Sequence, residues 1–113
     1  MIFDVKTPDF RAEVLERSKT SPVVVLFWAE WCGPCKQLKP LLMKLAMELP
    51  FDLARVDAGT ERELAAQENV RAVPNMRIYR DGAMVGGFSS ARTEAQLRAI
   101  LENAGITSSL EFD

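Results

Sequence analysis

The chain contains no histidine, and that absence closes off several chemistries at once. A cysteine–histidine protease, a serine–histidine hydrolase and a histidine-ligated zinc enzyme each lack a base or ligand they require. Cysteine is nearly as scarce, with Cys32 and Cys35 the only two in 113 residues. Two thiolates without imidazole cannot supply the four good ligands of a structural zinc or iron–sulfur centre, so any such site would need a second subunit. Charge of one sign is not in excess: 14 basic and 16 acidic residues give a net charge of −2, which argues against nucleic acid as the main partner. No apolar run approaches the roughly 18 residues a membrane span needs, so no membrane partner is expected. The opening Met1-Ile2-Phe3-Asp4-Val5-Lys6 lacks the pattern of a signal peptide. A cytoplasmic location is therefore expected. There cysteines normally stay reduced, and a close pair is catalytic, redox-sensing or metal-binding. The chain has no internal repeat, no low-complexity segment and no glycine-rich nucleotide motif, and no cofactor site is visible.

What is present fits one domain with a single core, at 48% hydrophobic and 27% charged residues. Ile2–Val5 is a short strand candidate. Thr7-Pro8-Asp9 reads as a helix start, with Thr7 as N-cap, and the helix carries Phe10 and Val14 on one face to about Ser18. Val23–Phe27 shows no polar alternation and predicts a central strand covered on both faces. From Lys36 to Leu49, Leu38, Leu41, Leu42, Leu45 and Leu49 form one apolar helical stripe. The stripe stays in phase through Pro40, which favours a kink over a helix end.

Phe51–Val56 predicts the next strand, and Thr60 with Glu63 a capping box whose helix stops near Asn69. Asn75–Tyr79 and Ala83–Phe88 read as a hairpin about Asp81-Gly82, with Gly86-Gly87 loosening or bulging the second strand. Thr93–Gln96 is a second capping box, opening a helix that buries Leu97, Ile100, Leu101 and Ala104 and closes at Gly105. The domain is expected over 1–105, with a mobile tail over 106–113. The order β-α-β-α-β-α-β-β-α predicts an α/β fold, a mixed central β-sheet with helices on both faces.

Both cysteines lie in Trp31-Cys32-Gly33-Pro34-Cys35, at a strand-to-helix joint. Disulfide exchange needs an attacking thiolate and a second thiol near enough to release the intermediate. Two intervening residues at a helix start bring Cys32 and Cys35 onto neighbouring points of the first turn. Cys32, beside unpaired amides and the positive helix end, is expected to be the exposed nucleophile. Cys35, one turn in, is the partly buried resolving thiol. Gly33 leaves the approach open, and Pro34 removes a donor and stiffens the loop. A pair of inert core cysteines is the competing reading, but it leaves the glycine, proline and tryptophan of the motif unexplained.

Phe27-Trp28-Ala29-Glu30-Trp31-Cys32-Gly33-Pro34-Cys35-Lys36, with Pro40, Val56-Asp57 and Val73-Pro74, resembles the thioredoxin family over roughly residues 1–105. The resemblance implies the thioredoxin fold and a protein-disulfide reductase acting on disulfide-containing substrate proteins, monomeric and supplied with electrons by a thioredoxin reductase. It implies a cis Val73–Pro74 bond, where the residues alone suggest an ordinary strand-starting proline. Trp31, Val73 and Pro74 would then rim the thiol, and the Val73 backbone could pair with an extended substrate segment. It further implies that the Trp28 indole donates to an acidic side chain, here Asp57. Lys36 could lend modest electrostatic help to the thiolate.

The chain departs from the family pattern at three places. Leu26 stands where most members carry a buried aspartate, and Leu53 where they carry its lysine partner. Replacing both members of a buried pair by apolar groups can be neutral or stabilising, whereas losing one strands a charge. Ser90 stands where the family usually has a glycine beside the groove. The missing carboxylate keeps a second reading open: a thioredoxin-like binding module of a chaperone-type protein. A disulfide isomerase or oxidant is a third, disfavoured because Gly33-Pro34 resembles reducing members.

Overall fold

Alternation along the strands decides which helices lie on which face of the sheet. The computed structural model describes residues 1–108. Strands β1 (Ile2–Asp4), β2 (Val23–Trp28), β3 (Asp52–Asp57), β4 (Asn75–Arg80) and β5 (Ala83–Ser89) form one sheet in the order β1-β3-β2-β4-β5. The first three are mutually parallel, while β4 runs antiparallel to β2 and β5 to β4. Val24, Leu26, Leu53, Met76 and Ile78 point to one face, beneath α1 (Gly33–Glu48) and α3 (Glu94–Asn103). Val23, Val25, Phe27, Ala54 and Val56 point to the other, beneath the first helical segment and α2 (Arg62–Gln67). β2 is buried on both sides, as its unbroken apolar run predicts.

α1 continues through Pro40 as a single helix, so the proline does not end a first turn. The first helical segment is less regular than its periodicity suggests. It is a 3₁₀ turn over Thr7–Asp9, a wide π-type stretch over Arg11–Glu16 and a second 3₁₀ turn over Arg17–Lys19. Thr7 is not its N-cap. Its amide and hydroxyl both donate to Glu61 Oε1, at 2.7 and 2.9 Å, because that carboxylate reaches it from the start of α2. The Thr60–Glu63 box also fails to form, since the Thr60 hydroxyl donates to the Asp57 carbonyl instead. The Thr93–Gln96 box forms as expected.

The hairpin turns at Asp81 and Gly82, both at positive φ, and buried Ser18 fixes it by accepting their amides at 2.9 Å. Its irregularity falls one residue before the expected pair. Ile78 faces Gly86 and Tyr79 faces Met84, leaving Val85 as the extra residue. Gly87 answers a different need: a Cβ there would lie 2.5 Å from the Met76 carbonyl.

Gly105, at φ 83°, closes α3 in a Schellman motif. The Ile106 amide donates to the Leu101 carbonyl and the Gly105 amide to that of Glu102, each at 2.9 Å. Ile106 is consequently 2% exposed in the main core. The expected mobile tail therefore does not begin there, and its last five positions, 109–113, lie outside the described residues.

Candidate active site

The β2 strand delivers the chain to the cysteine loop, and α1 begins inside it. Cys32 is the N-cap of α1, in extended conformation, and its Sγ accepts the Cys35 amide at 3.2 Å. Pro34 carries no amide, so the Cys35 N–H is the first-turn donor held on that sulfur. The two cysteines form a disulfide with Cα atoms 5.3 Å apart.

Their exposure differs less than expected. Cys32 is 3% exposed and Cys35 1%, so in this oxidised state neither is an open thiol. The bond between them and the packing of Ala29, Trp28 and Val73 cover both. What separates the two is position: Cys32 lies outside the first helical turn as the acceptor of the Cys35 amide, and Cys35 lies within it. No side chain would meet one built at Gly33, which leaves that approach open.

The Val73–Pro74 bond is cis. Val73 packs on the cysteine cluster, Pro74 is buried, and Trp31 stands 77% exposed beside them. Ser90 donates its amide to the Pro74 carbonyl at 3.2 Å, tying the loop after β5 to the same place. Its φ of 96° is one that L side chains rarely adopt, which accounts physically for glycine as the family's choice there.

The expected bond between Trp28 and Asp57 is not made. Asp57 Oδ1 accepts the Gly59 amide at 2.9 Å, closing its own turn, and the Trp28 indole nitrogen is buried without a hydrogen-bond partner among the described residues. The Lys39 ammonium instead covers the Trp28 ring, 3.6 Å from its centroid. Sequence reading did not single out Lys39, and only its one-turn spacing from Cys35 could have drawn notice. Lys36 is exposed and makes no hydrogen bond or ion pair among the described residues.

Leu26 and Leu53 are both fully buried in the cluster under α1 and α3. Leu53 pairs with Val24, two residues from Leu26 on the same face, so the two leucines are diagonal neighbours. Cys35 lines a cavity of about 170 Å³ together with Trp28, Glu30, Lys36 and Lys39. Among the described residues no three histidine, cysteine, aspartate or glutamate side chains converge as a metal site would require. The arrangement is a disulfide at a helix N-terminus, rimmed by apolar groups, with a cavity carrying Glu30, Lys36 and Lys39 on one side.

Comparison with known proteins agrees. The thioredoxin family profile matches residues 1–103. Thioredoxin of Mycobacterium tuberculosis is 38% identical over 95 residues, covering 82% of this chain and 80% of that one. The bifunctional thioredoxin reductase/thioredoxin of Mycobacterium leprae is 38% identical over 96 residues, covering 83% of this chain but 20% of that much longer protein. Among solved structures, the reduced thioredoxin pre-protein of Schistosoma mansoni superposes with a TM-score of 0.81 at 30% identity, over 90% of this chain and 96% of that one.

Proposed function

The chain belongs to the thioredoxin family and is a thiol–disulfide oxidoreductase that reduces protein disulfides; we propose that Cys32 attacks, Cys35 resolves, and a thioredoxin reductase restores the dithiol. The observation that carries the assignment is the Cys35 amide held on Cys32 Sγ at the N-terminus of a 16-residue helix. A thiolate on Cys32 would keep that donor and the positive helix end, while one on Cys35 would lack them.

In the reduced protein, Cys32 thiolate attacks one sulfur of the substrate disulfide. A Cys32–substrate disulfide forms, and the other substrate sulfur leaves as a thiolate and takes a proton from water. Cys35 then loses its proton through the cavity beside Glu30 and Lys39 and attacks Cys32 Sγ. The Cys32–Cys35 bond forms and the second substrate sulfur departs as a thiolate that also takes a proton from water, so two electrons have moved from the dithiol to the substrate while its two protons come from solvent. That end point is the state seen here.

A reductase as electron donor is supported by the fused pair named for the M. leprae relative. The redox-active disulfide serves as the only redox group in this reading, with no bound cofactor or metal. The protein acts as a cytoplasmic monomer, where a reducing pool keeps the dithiol available for electron transport. Insulin-disulfide reduction coupled to a thioredoxin reductase tests the reading. Turnover that disappears in Cys32→Ser is expected, together with mixed disulfides trapped on Cys32 in Cys35→Ser. Undiminished turnover in Cys32→Ser would overturn it.

A further inference from the structure

Beside the cysteine loop lies a second cavity, of about 280 Å³, between Trp31, Val73 and the exposed side of α2. It falls just below the roughly 300–1,000 Å³ of small-molecule pockets, a size suited to a protruding side chain rather than a whole ligand. Its floor is apolar, made by Val70, Val73 and alanines such as Ala66, and Trp31 forms one wall. Two guanidinium groups, Arg62 and Arg71, stand in the lining, and no carboxylate does.

Most other arginines in this molecule have a partner among the described residues, Arg11 being the exception. Arg77 binds Glu68, Arg98 binds Glu48 and Glu94, and Arg80 donates to the Ala104 carbonyl. Arg62 and Arg71 are exposed and make no hydrogen bond or ion pair among the described residues. Lys36, the chain neighbour of Cys35, is likewise without either among the described residues. A chain of net charge −2 thus holds uncommitted positive charge next to its reactive sulfur.

We infer that this cavity selects substrates: it takes an apolar side chain of the disulfide-bearing polypeptide, while Arg62 and Arg71 bind carboxylates flanking that side chain. The preferred substrate is then a protein whose reducible cysteine lies in an acidic segment with a nearby apolar residue. Continuity with the site is direct, because Trp31 is the chain neighbour of Cys32 and Val73 packs on the cysteine cluster. Charges at such a rim act mainly on encounter rate and on the choice among partners, and salt screens them. This inference rests on the exchange reading above.

The test uses two disulfide-bridged peptides alike except for their flanks, one bearing glutamates beside a leucine and the other lysines beside it. Turnover is driven by a thioredoxin reductase and expressed as the ratio of kcat/KM, acidic over basic. At about 20 mM salt the wild-type ratio should be roughly 5–10, shrinking toward 1 near 300 mM as screening shortens the reach of exposed charge. In Arg62→Glu/Arg71→Glu the low-salt ratio should invert. Each ratio is internal to one protein, so general damage to the variant cancels, and the wild-type salt dependence needs no variant. A wild-type ratio near 1 at low salt, or a preference that survives in the double variant, would overturn the inference. Failure of wild type to reduce either peptide or a neutral aromatic disulfide would instead overturn the exchange reading.

Discussion

The two sides of the cysteine pair are built on opposite terms. Outward, Trp31 is exposed, Ser90 holds a conformation that suits glycine, and Arg62 and Arg71 carry charge with no partner among the described residues. Inward, Leu26 and Leu53 lie fully buried in a cluster with Leu38, Leu42, Leu97 and Leu101, where every group is apolar and matched. The strain at Ser90 and the charge of Arg62 and Arg71 face an arriving substrate, and the leucine cluster carries neither. The family's buried acid–base pair would place ionisable groups in that interior, so here the outward face alone must manage protons. The difference locates the chemistry: exchange is governed from the surface inward, with the core serving only to hold α1 and β2 in register.

The largest expected effect comes from breaking the inward side. Leu26→Asp alone places a carboxylate at a fully buried position with no counter-charge, and should cost about 3–5 kcal/mol of stability. Leu26→Asp with Leu53→Lys restores a diagonal pair on one sheet face and should recover part of that loss. Urea unfolding of the three proteins checks both statements. A single variant as stable as wild type would mean that the interior already admits charge.

A smaller effect, of opposite sign, is expected outward. Ser90→Gly relieves a φ of 96° at the price of one exposed bond from Arg92 to the serine hydroxyl, and should stabilise the fold by about 1 kcal/mol. The same unfolding assay measures it, and a destabilised variant would show that the Arg92–Ser90 contact outweighs the strain.

The smallest effect concerns α2, which carries the wall of the substrate-side cavity. Glu61 at its start accepts the Thr7 amide and hydroxyl, which together hold its carboxyl below the usual glutamate range. A depressed folded-state value means that the stabilisation is complete above the ordinary glutamate range and is lost as pH falls through the depressed value. Acid unfolding of Glu61→Gln should therefore lack this contribution, with a flatter loss of stability between about pH 5 and 3 than wild type shows. Identical acid profiles would remove Glu61 as an anchor.

Features set by near neighbours in the chain were legible before the fold was known. The Thr93–Gln96 box, the Asp81-Gly82 turn, the apolar stripe through Pro40 and the double-sided burial of β2 each follow from a short segment. Features decided by competition were not. Thr7 has a cap's chemistry, but Glu61, distant in sequence, claims its donors, and Asp57 spends its carboxylate on Gly59 rather than Trp28. Ile106 looked like tail because its burial depends on a Schellman turn that aims one residue beyond the helix into the core. The position of Cys32 at the helix cap was readable from the motif, but its burial was not, since the disulfide and Val73 supply that cover. Nothing in the sequence singles out Arg62 and Arg71, which only the fold sets beside Trp31.

The most direct test of an interior without ionisable groups is the rate at which Cys35 resolves a mixed disulfide on Cys32. Cys35 is 1% exposed, and burial of a thiol disfavours its thiolate. Stopped-flow resolution of a preformed mixed disulfide should follow pH from about 6 to 9, a span bracketing the reference cysteine value. Wild type should be slow at the acid end and accelerate steadily with pH, and Leu26→Asp/Leu53→Lys should be faster near neutrality with a weaker dependence. A wild-type rate that equals the double variant's and is flat with pH would show that another base serves Cys35, and would contradict the account.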